Sequence, residues 1–148
     1  ITLAEPVPAE AVARPIVVEL PGFSPGNAYA RDVLSHDMFA ATDAELGYRY
    51  TADATTFRTW SPVSERVELL LGEEERAVEM MRGGRGVWEA TVEGDLHRTP
   101  YRYRFHSYGE SRTVADVHAF AATADSSRAV VIDLRRTDPE GFRAHQPP

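Results

Sequence analysis

The sequence contains neither cysteine nor lysine. It has 148 residues, of which 43% are hydrophobic. Without cysteine the chain can form no disulfide and offers no thiolate to a metal ion. Without lysine it can form neither a Schiff base nor a P-loop, and all 16 basic residues are arginines. Several common kinds of catalytic and nucleotide-binding site are therefore excluded.

Long hydrophobic runs are also missing, and negative charge exceeds positive charge. No apolar stretch approaches the ~18 residues that a membrane-spanning helix needs, and no segment has the pattern of a signal peptide. The net charge of −7 opposes nonspecific binding to nucleic acid, which requires basic patches. We therefore expect neither a membrane nor a nucleic acid as partner, and the localisation stays open between cytoplasmic and secreted.

Residue patterns that would indicate catalysis or metal binding are sparse. The 5 histidines are scattered without metal-ligand spacing, and no serine lies in a Gly-x-Ser-x-Gly sequence. The glutamates at 73–75 are typical of a solvated hairpin tip, and the glycines around residue 84 do not form a phosphate-binding pattern. We predict no catalytic residue, no metal site and no cofactor.

Alternation of apolar and polar residues is the main pattern present. Tyr101, Tyr103 and Phe105 alternate with polar residues, as in a strand with one buried face. Residues 87–92 alternate likewise and direct Trp88 inward, which predicts core packing for that indole. Residues 55–60 and 66–71 form two more runs, and the short turn at Pro62 predicts an antiparallel hairpin between them. Further runs at 77–81, 112–114 and 129–134 complete an all-β, antiparallel sandwich.

Four motifs in this order resemble a known family. They are Thr-Phe-Arg-Thr-Trp-Ser-Pro at 56–62, Gly-Val-Trp-Glu-Ala-Thr-Val at 86–92, Tyr-Arg-Tyr-Arg-Phe at 101–105, and Asp-Leu-Arg-Arg-Thr-Asp-Pro-Glu-Gly-Phe at 133–142. The stretch resembles the family-48 carbohydrate-binding module that precedes the catalytic barrel of type I pullulanases. The resemblance implies an immunoglobulin-like β-sandwich and an accessory module of an enzyme that debranches starch, glycogen or pullulan. Its partners would be α-glucan, bound weakly, and the catalytic barrel of the parent enzyme.

The resemblance also divides the chain. We expect an N-terminal segment and linker from a preceding β domain at 1–45, the sandwich at 46–134, and a linker toward a missing barrel at 135–148. Residues 16–20 are β-prone and 23–27 are typical of a turn, whereas 28–39 fit either a helix or an extended connector. Because the chain begins with Ile1 and ends in a proline-containing tail, we expect it to be part of a longer product.

The family also implies a sugar-binding site. Its members that bind glycogen use a basic residue on the Tyr-x-Phe strand, a position held here by Arg104, and a tryptophan that is replaced here by Ser111. Tyr108 could replace that ring in part. Trp60 points away from Phe57 and is either packed or a platform for sugar. The pullulanase sequence Asp-Pro-Tyr-Ala is replaced at 116–119 by Asp-Val-His-Ala, which weakens the expected packing against the barrel.

Two other functions remain open at the level of sequence. The chain could be a free-standing α-glucan-binding module, or an immunoglobulin-like domain that binds proteins and no sugar. Exposed aromatic rings in a groove would favour the former, and a flat apolar patch without such rings would favour the latter.

Overall fold

Two antiparallel sheets form the body of the computed structural model, which describes residues 9–29, 32–41, 43–137 and 139. A separate two-stranded hairpin precedes them and consists of β1 (Ile16–Val18) and β2 (Gly26–Ala28). The first large sheet has the strand order β3-β4-β8-β7, with bounds Gly47–Tyr50, Ala54–Trp60, Val87–Glu93 and Met81–Arg82. The second has the order β10-β9-β5-β6, with bounds Glu110–Val114, Pro100–Ser107, Arg66–Leu71 and Arg76–Glu79, and β11 (Ala129–Val130) also pairs with β9. The predicted all-β sandwich is confirmed.

The core lies between the two large sheets and is rich in aromatic rings. Phe57 and Tyr101 are fully buried with ring centroids 4.9 Å apart, and Tyr103 follows Tyr101 on the same face. Trp88 is 4% exposed, and its indole N–H donates to the carbonyl of Ser61 at 2.9 Å. The predicted inward faces of β4, β8 and β9 are thus confirmed, because alternation along each strand separates the buried residues from the others.

The predicted hairpin between residues 55–60 and 66–71 is wrong. Strand β4 pairs with β3 and β8, whereas β5 pairs with β6 and β9, so the chain passes from one sheet to the other at residues 61–65. Pro62 and Ser64 are buried in this crossing, and Ser64 Oγ lies 2.7 Å from Ser61 Oγ and 3.1 Å from Ser107 Oγ. Alternation specifies which face of a strand is buried but not its partner, so it is equally compatible with a hairpin and a crossing.

A glycine from the neighbouring turn allows this crossing to lie close to the first sheet. Gly86 has a φ of +79°, and a Cβ there would come within 2.7 Å of the Cα of Pro62. Its carbonyl accepts the backbone N–H of Ser61 at 2.8 Å. Any side chain at residue 86 would therefore both strain the backbone and collide with Pro62.

A second crossing divides the strand predicted at 77–81. Strand β6 ends at Glu79 and β7 begins at Met81 in the opposite sheet. The buried Met80 lies between them, and its N–H donates to the carbonyl of Val67 at 2.9 Å. This crossing, like the first, joins a strand of one large sheet to a strand of the other.

The described part of the N-terminal segment is mostly irregular. Two short 3₁₀ turns span Val33–Ser35 and Asp37–Phe39. The described part of 28–39 therefore contains no α-helix. Within the range 23–27, predicted as a turn, Gly26 already begins β2, which pairs with the predicted strand at Ile16. A further 3₁₀ helix spans Ala9–Ala13.

The strand predicted at 129–134 is shorter than expected. Strand β11 ends at Val130, and the backbone of Ile132 bonds to a side chain instead: its N–H donates to Tyr48 Oη at 2.9 Å. The Tyr48 hydroxyl in turn lies 3.2 Å from the carbonyl of Ile132. Asp133 then caps the 3₁₀ turn Leu134–Arg136 by accepting the N–H of Arg135. The three-part division of the chain stays a prediction, and most of the tail at 135–148 lies outside the described residues.

None of the helical turns in the described ranges has the length and apolar character needed to cross a bilayer.

Candidate functional site

Arg104 lies on the outer face of the second sheet, in the middle of a charged cluster. Register places it beside Glu68 of β5 and Thr113 of β10. The Glu68 side chain is only 11% exposed, and its carboxylate oxygens lie 3.6 Å from Arg104 Nη1, 3.1 Å from Arg66 Nη1 and 2.6 Å from His106 Nε2. One carboxylate therefore holds three nitrogen-bearing side chains in place on this face.

The electrostatics of the cluster keep Glu68 ionised. The hydrogen bond from His106 lowers the pKa of the Glu68 carboxyl, and the positive charges of Arg66 and Arg104 act in the same direction against the effect of burial. The carboxylate thus remains a fixed acceptor that orients Arg104. The exposed part of the arginine is free to donate to a ligand.

This outer face offers hydrogen-bonding groups but no aromatic platform. Ser111, the residue expected to replace the tryptophan of a sugar-binding site, is exposed and lies opposite His106. Among the described residues that share the face by register, none is phenylalanine, tyrosine or tryptophan. A sugar bound here would be held by polar contacts rather than by ring stacking.

Tyr108 belongs to a different surface. It forms the two-residue turn between β9 and β10 together with Gly109, and both residues have positive φ, as tight hairpins require. Its hydroxyl donates to the carbonyl of Val12 at 3.1 Å, and its ring meets Tyr29 edge-to-face with centroids 5.1 Å apart. Burial raises the pKa of the Tyr108 hydroxyl, and the neighbouring Tyr29 adds to that effect.

Trp60 lies at the end of β4 and is half-buried against the N-terminal segment. Together with Val63 it packs on the small cluster of Val12 and Phe39. Its indole N–H lies 3.1 Å from the carbonyl of Phe39 and 3.0 Å from that of Arg85. Of the two alternatives for this residue, these contacts favour packing.

The structure thus brings Trp60 and Tyr108 to contacts with the same N-terminal segment and leaves Arg104 on another face. Neither a hydrogen bond nor a ring contact joins Arg104 to either of them among the described residues. Sequence reasoning missed Glu68 and Tyr29, which complete the two surfaces. Alternation along 66–71 already directs Glu68 outward, but its position beside Arg104 follows only from the pairing of β5 with β9, which was not predicted.

Asp116 has a structural role in the core. Its Oδ2 accepts the hydroxyls of Tyr101 at 2.8 Å and Tyr103 at 3.4 Å inside the sandwich. Desolvation raises the pKa of both tyrosine hydroxyls, and the nearby carboxylate raises them further. Val117, in place of the proline, is in contrast exposed.

Comparison with known proteins identifies the family of the chain. A family model for carbohydrate-binding module 48, the isoamylase N-terminal domain, matches residues 45–119. The pullulanase of Bacillus subtilis (strain 168) is 34% identical over 93 residues, which cover 61% of this chain and 13% of that protein.

Solved structures of pullulanases share the fold. The pullulanase from Bacillus acidopullulyticus aligns over 88% of this chain and 17% of its own, with a TM-score of 0.75 and 30% identity. The pullulanase of Anoxybacillus sp. LM18-11, solved with maltotetraose, aligns over 78% of this chain and 18% of its own, with a TM-score of 0.71 and 28% identity. The chain therefore spans less than a fifth of these relatives, and it belongs to the carbohydrate-binding module 48 family, in the form that this module takes in pullulanases.

Proposed function

We propose that the chain is the non-catalytic, α-glucan-contacting module of a pullulanase-like debranching enzyme. The observation that carries this proposal is the extent of the structural likeness. The family model matches residues 45–119, whereas a pullulanase structure aligns over 88% of the chain. The N-terminal segment is thus part of the likeness, which favours a pullulanase accessory module over a free-standing sugar-binding domain.

The proposed glucan-binding surface is the outer face around Arg104. Arg104 donates to sugar hydroxyls from a position fixed by Glu68, and the nearby His106 and Ser111 add polar contacts. Because the described residues of this face include no aromatic ring, the sugar must offset its lost freedom with hydrogen bonds that it also makes to water. We therefore expect dissociation constants no tighter than about 1 mM for maltooligosaccharides.

The second proposed partner is the catalytic barrel of the parent enzyme. Such barrels need about 250 residues, which this chain does not provide. Phe120 is 67% exposed and its ring centroid lies 5.8 Å from that of Tyr48; Leu134 is also exposed beside the same shallow depression. An apolar group of this kind on an otherwise charged surface is typical of an interface with another domain.

Titration with maltoheptaose tests glucan binding. In spectra of the ¹⁵N-labelled chain we expect millimolar sugar to shift the amides of β5, β9 and β10. Arg104→Ala should weaken binding about two- to tenfold, because it removes a charged donor. Arg49→Ala is the matched control, since Arg49 is an exposed arginine on the other sheet.

Three results would contradict the proposal. Saturation at micromolar sugar would indicate a site unlike this face, and equal losses in the two variants would deny Arg104 its role. The absence of any shift would leave the contact with a barrel as the better interpretation of the module.

A further inference from the structure

A sugar-sized pocket lies on the side of edge strand β10 that is opposite to the Arg104 face. Its volume is about 450 Å³, within the range of small-molecule sites, and its lining comprises Tyr29, Phe105, Ser107, Tyr108, Glu110 and Arg112. Register explains this set: Glu110 and Arg112 face the same way as Ser107 and Phe105, whereas Ser111 and Thr113 point to the Arg104 face. Strand β10 therefore separates the Arg104 face from this pocket and is exposed along its whole length.

Three aromatic rings meet in this pocket. Tyr29 and Tyr108 form an edge-to-face pair with an interplanar angle of 83°, and Phe105 continues the apolar wall. Tyr29 remains 52% exposed, so its ring is accessible from solvent. The apolar C–H face of a glucose unit can pack against such a ring, which is the element that the Arg104 face lacks.

The polar groups of the pocket suit a neutral ligand that carries hydroxyls. Arg112 Nη2 lies 3.8 Å from Glu110 Oε2, and both side chains are largely exposed. An arginine and a carboxylate side by side offer donors and acceptors without net charge, so they match sugar hydroxyls better than an anion. The charge balance thus favours a glucan over a phosphate or an acidic peptide.

We propose that this pocket is a second α-glucan subsite, in which Tyr29 supplies the stacking ring and Arg112 and Glu110 bind hydroxyls. The inference rests on the proposed glucan-binding function. It assigns a binding residue to the N-terminal segment, outside the stretch 45–119 that the family model matches. Contacts between Tyr108 and Val12, and between Arg14 and Glu65 at 3.6 Å, hold that segment against the sandwich.

Variants of Tyr29 test this subsite in a maltoheptaose titration. Tyr29→Ala should weaken binding about two- to tenfold, because the stacking ring is lost. Tyr29→Phe should keep the parent affinity, since the ring remains. Phe23→Ala is the matched control: Phe23 is an aromatic residue of the same segment that is 76% exposed and lies outside the pocket lining.

Amide shifts separate this inference from the proposed function. Sugar should shift Glu110 and Arg112 in the Arg104→Ala variant as well as in the parent. A parent-like affinity for Tyr29→Ala, while Arg104→Ala is weakened, would overturn the second subsite and leave the proposed function standing. A parent chain that binds no sugar at all would overturn both. If Tyr29→Ala disturbs the fold, Arg112→Gln replaces it, with the same loss of affinity expected.

Discussion

The interior of the sandwich and the N-terminal segment are held together in contrasting ways. In the sandwich, β4 and β8 pair along seven residues each, and fully buried rings such as Phe57 and Tyr101 fill the space between the sheets. In the segment, β1 and β2 have three residues each and are mostly exposed. Its largest buried side chain, Phe39, belongs to a separate small cluster with Val12.

Attachment of the N-terminal segment therefore depends on a few side chains of the sandwich. Trp60 and Arg85 reach its carbonyls, the indole N–H toward Phe39 and the guanidinium toward Ala40 at 3.1 Å. Regions with few buried apolar contacts open at lower free energy than the core. We therefore expect the segment to detach before the sandwich unfolds.

The largest effect is expected inside the sandwich. Trp88→Ala should lower the free energy of unfolding by roughly 3–5 kcal/mol, because it leaves a cavity in the core and an unpaired carbonyl at Ser61. Urea unfolding followed by circular dichroism measures the loss. A midpoint equal to that of the parent would mean that the ring does not contribute to the core.

A smaller and local effect is expected where the segment meets the sandwich. Trp60→Phe keeps an aromatic ring but removes the N–H that points to the carbonyls of Phe39 and Arg85, which should cost about 1–2 kcal/mol. Amide hydrogen exchange should accelerate in residues 9–29 and 32–41 of the N-terminal segment. The amides of β4 and β8 should stay protected, and equal acceleration in both regions would contradict a separate attachment.

The smallest effect concerns charge rather than packing. Glu68→Gln should destabilise the chain by about 1 kcal/mol at pH 7, since the carboxylate that holds Arg66, Arg104 and His106 is lost. The folded-state pKa of Glu68 lies below its ordinary value of 4.5, so its contribution is complete above that pH and is lost as the pH falls through the lower, folded value.

Unfolding of parent and Glu68→Gln variant at several pH values tests this sign. Their difference in stability should shrink as the pH falls below about 4.5, where Glu68 becomes protonated. A difference that grows as the pH falls below 4.5 would show that Glu68 is not held in its charged form.

Sequence reasoning predicted which side chains face the core and the hairpin tip at residues 73–75, but not that β5 pairs with β9. Phe57, Trp88 and Tyr101 could be assigned inward because alternation is a local property. The pairing of β5 with β9 could not, since it depends on a crossing whose residues carry the same turn signals as a hairpin. Two contacts were not predicted: that of Glu68 with Arg104 and that of Tyr29 with Tyr108. Each joins residues that are far apart in the sequence.

The crossing at residues 61–65 also constrains the order in which the chain can fold. Strands β4 and β5 are adjacent in sequence, but each pairs with a strand that comes much later in the chain. Trp60 of β4 pairs with Val87 of β8, and Arg66 of β5 pairs with His106 of β9. Both sheets therefore need closure of long loops, and topologies dominated by such distant contacts fold in milliseconds to seconds rather than in microseconds. Local hairpins such as β9–β10 can form early, but a nascent chain that has not yet reached β9 leaves one hydrogen-bonding edge of β5 without a partner.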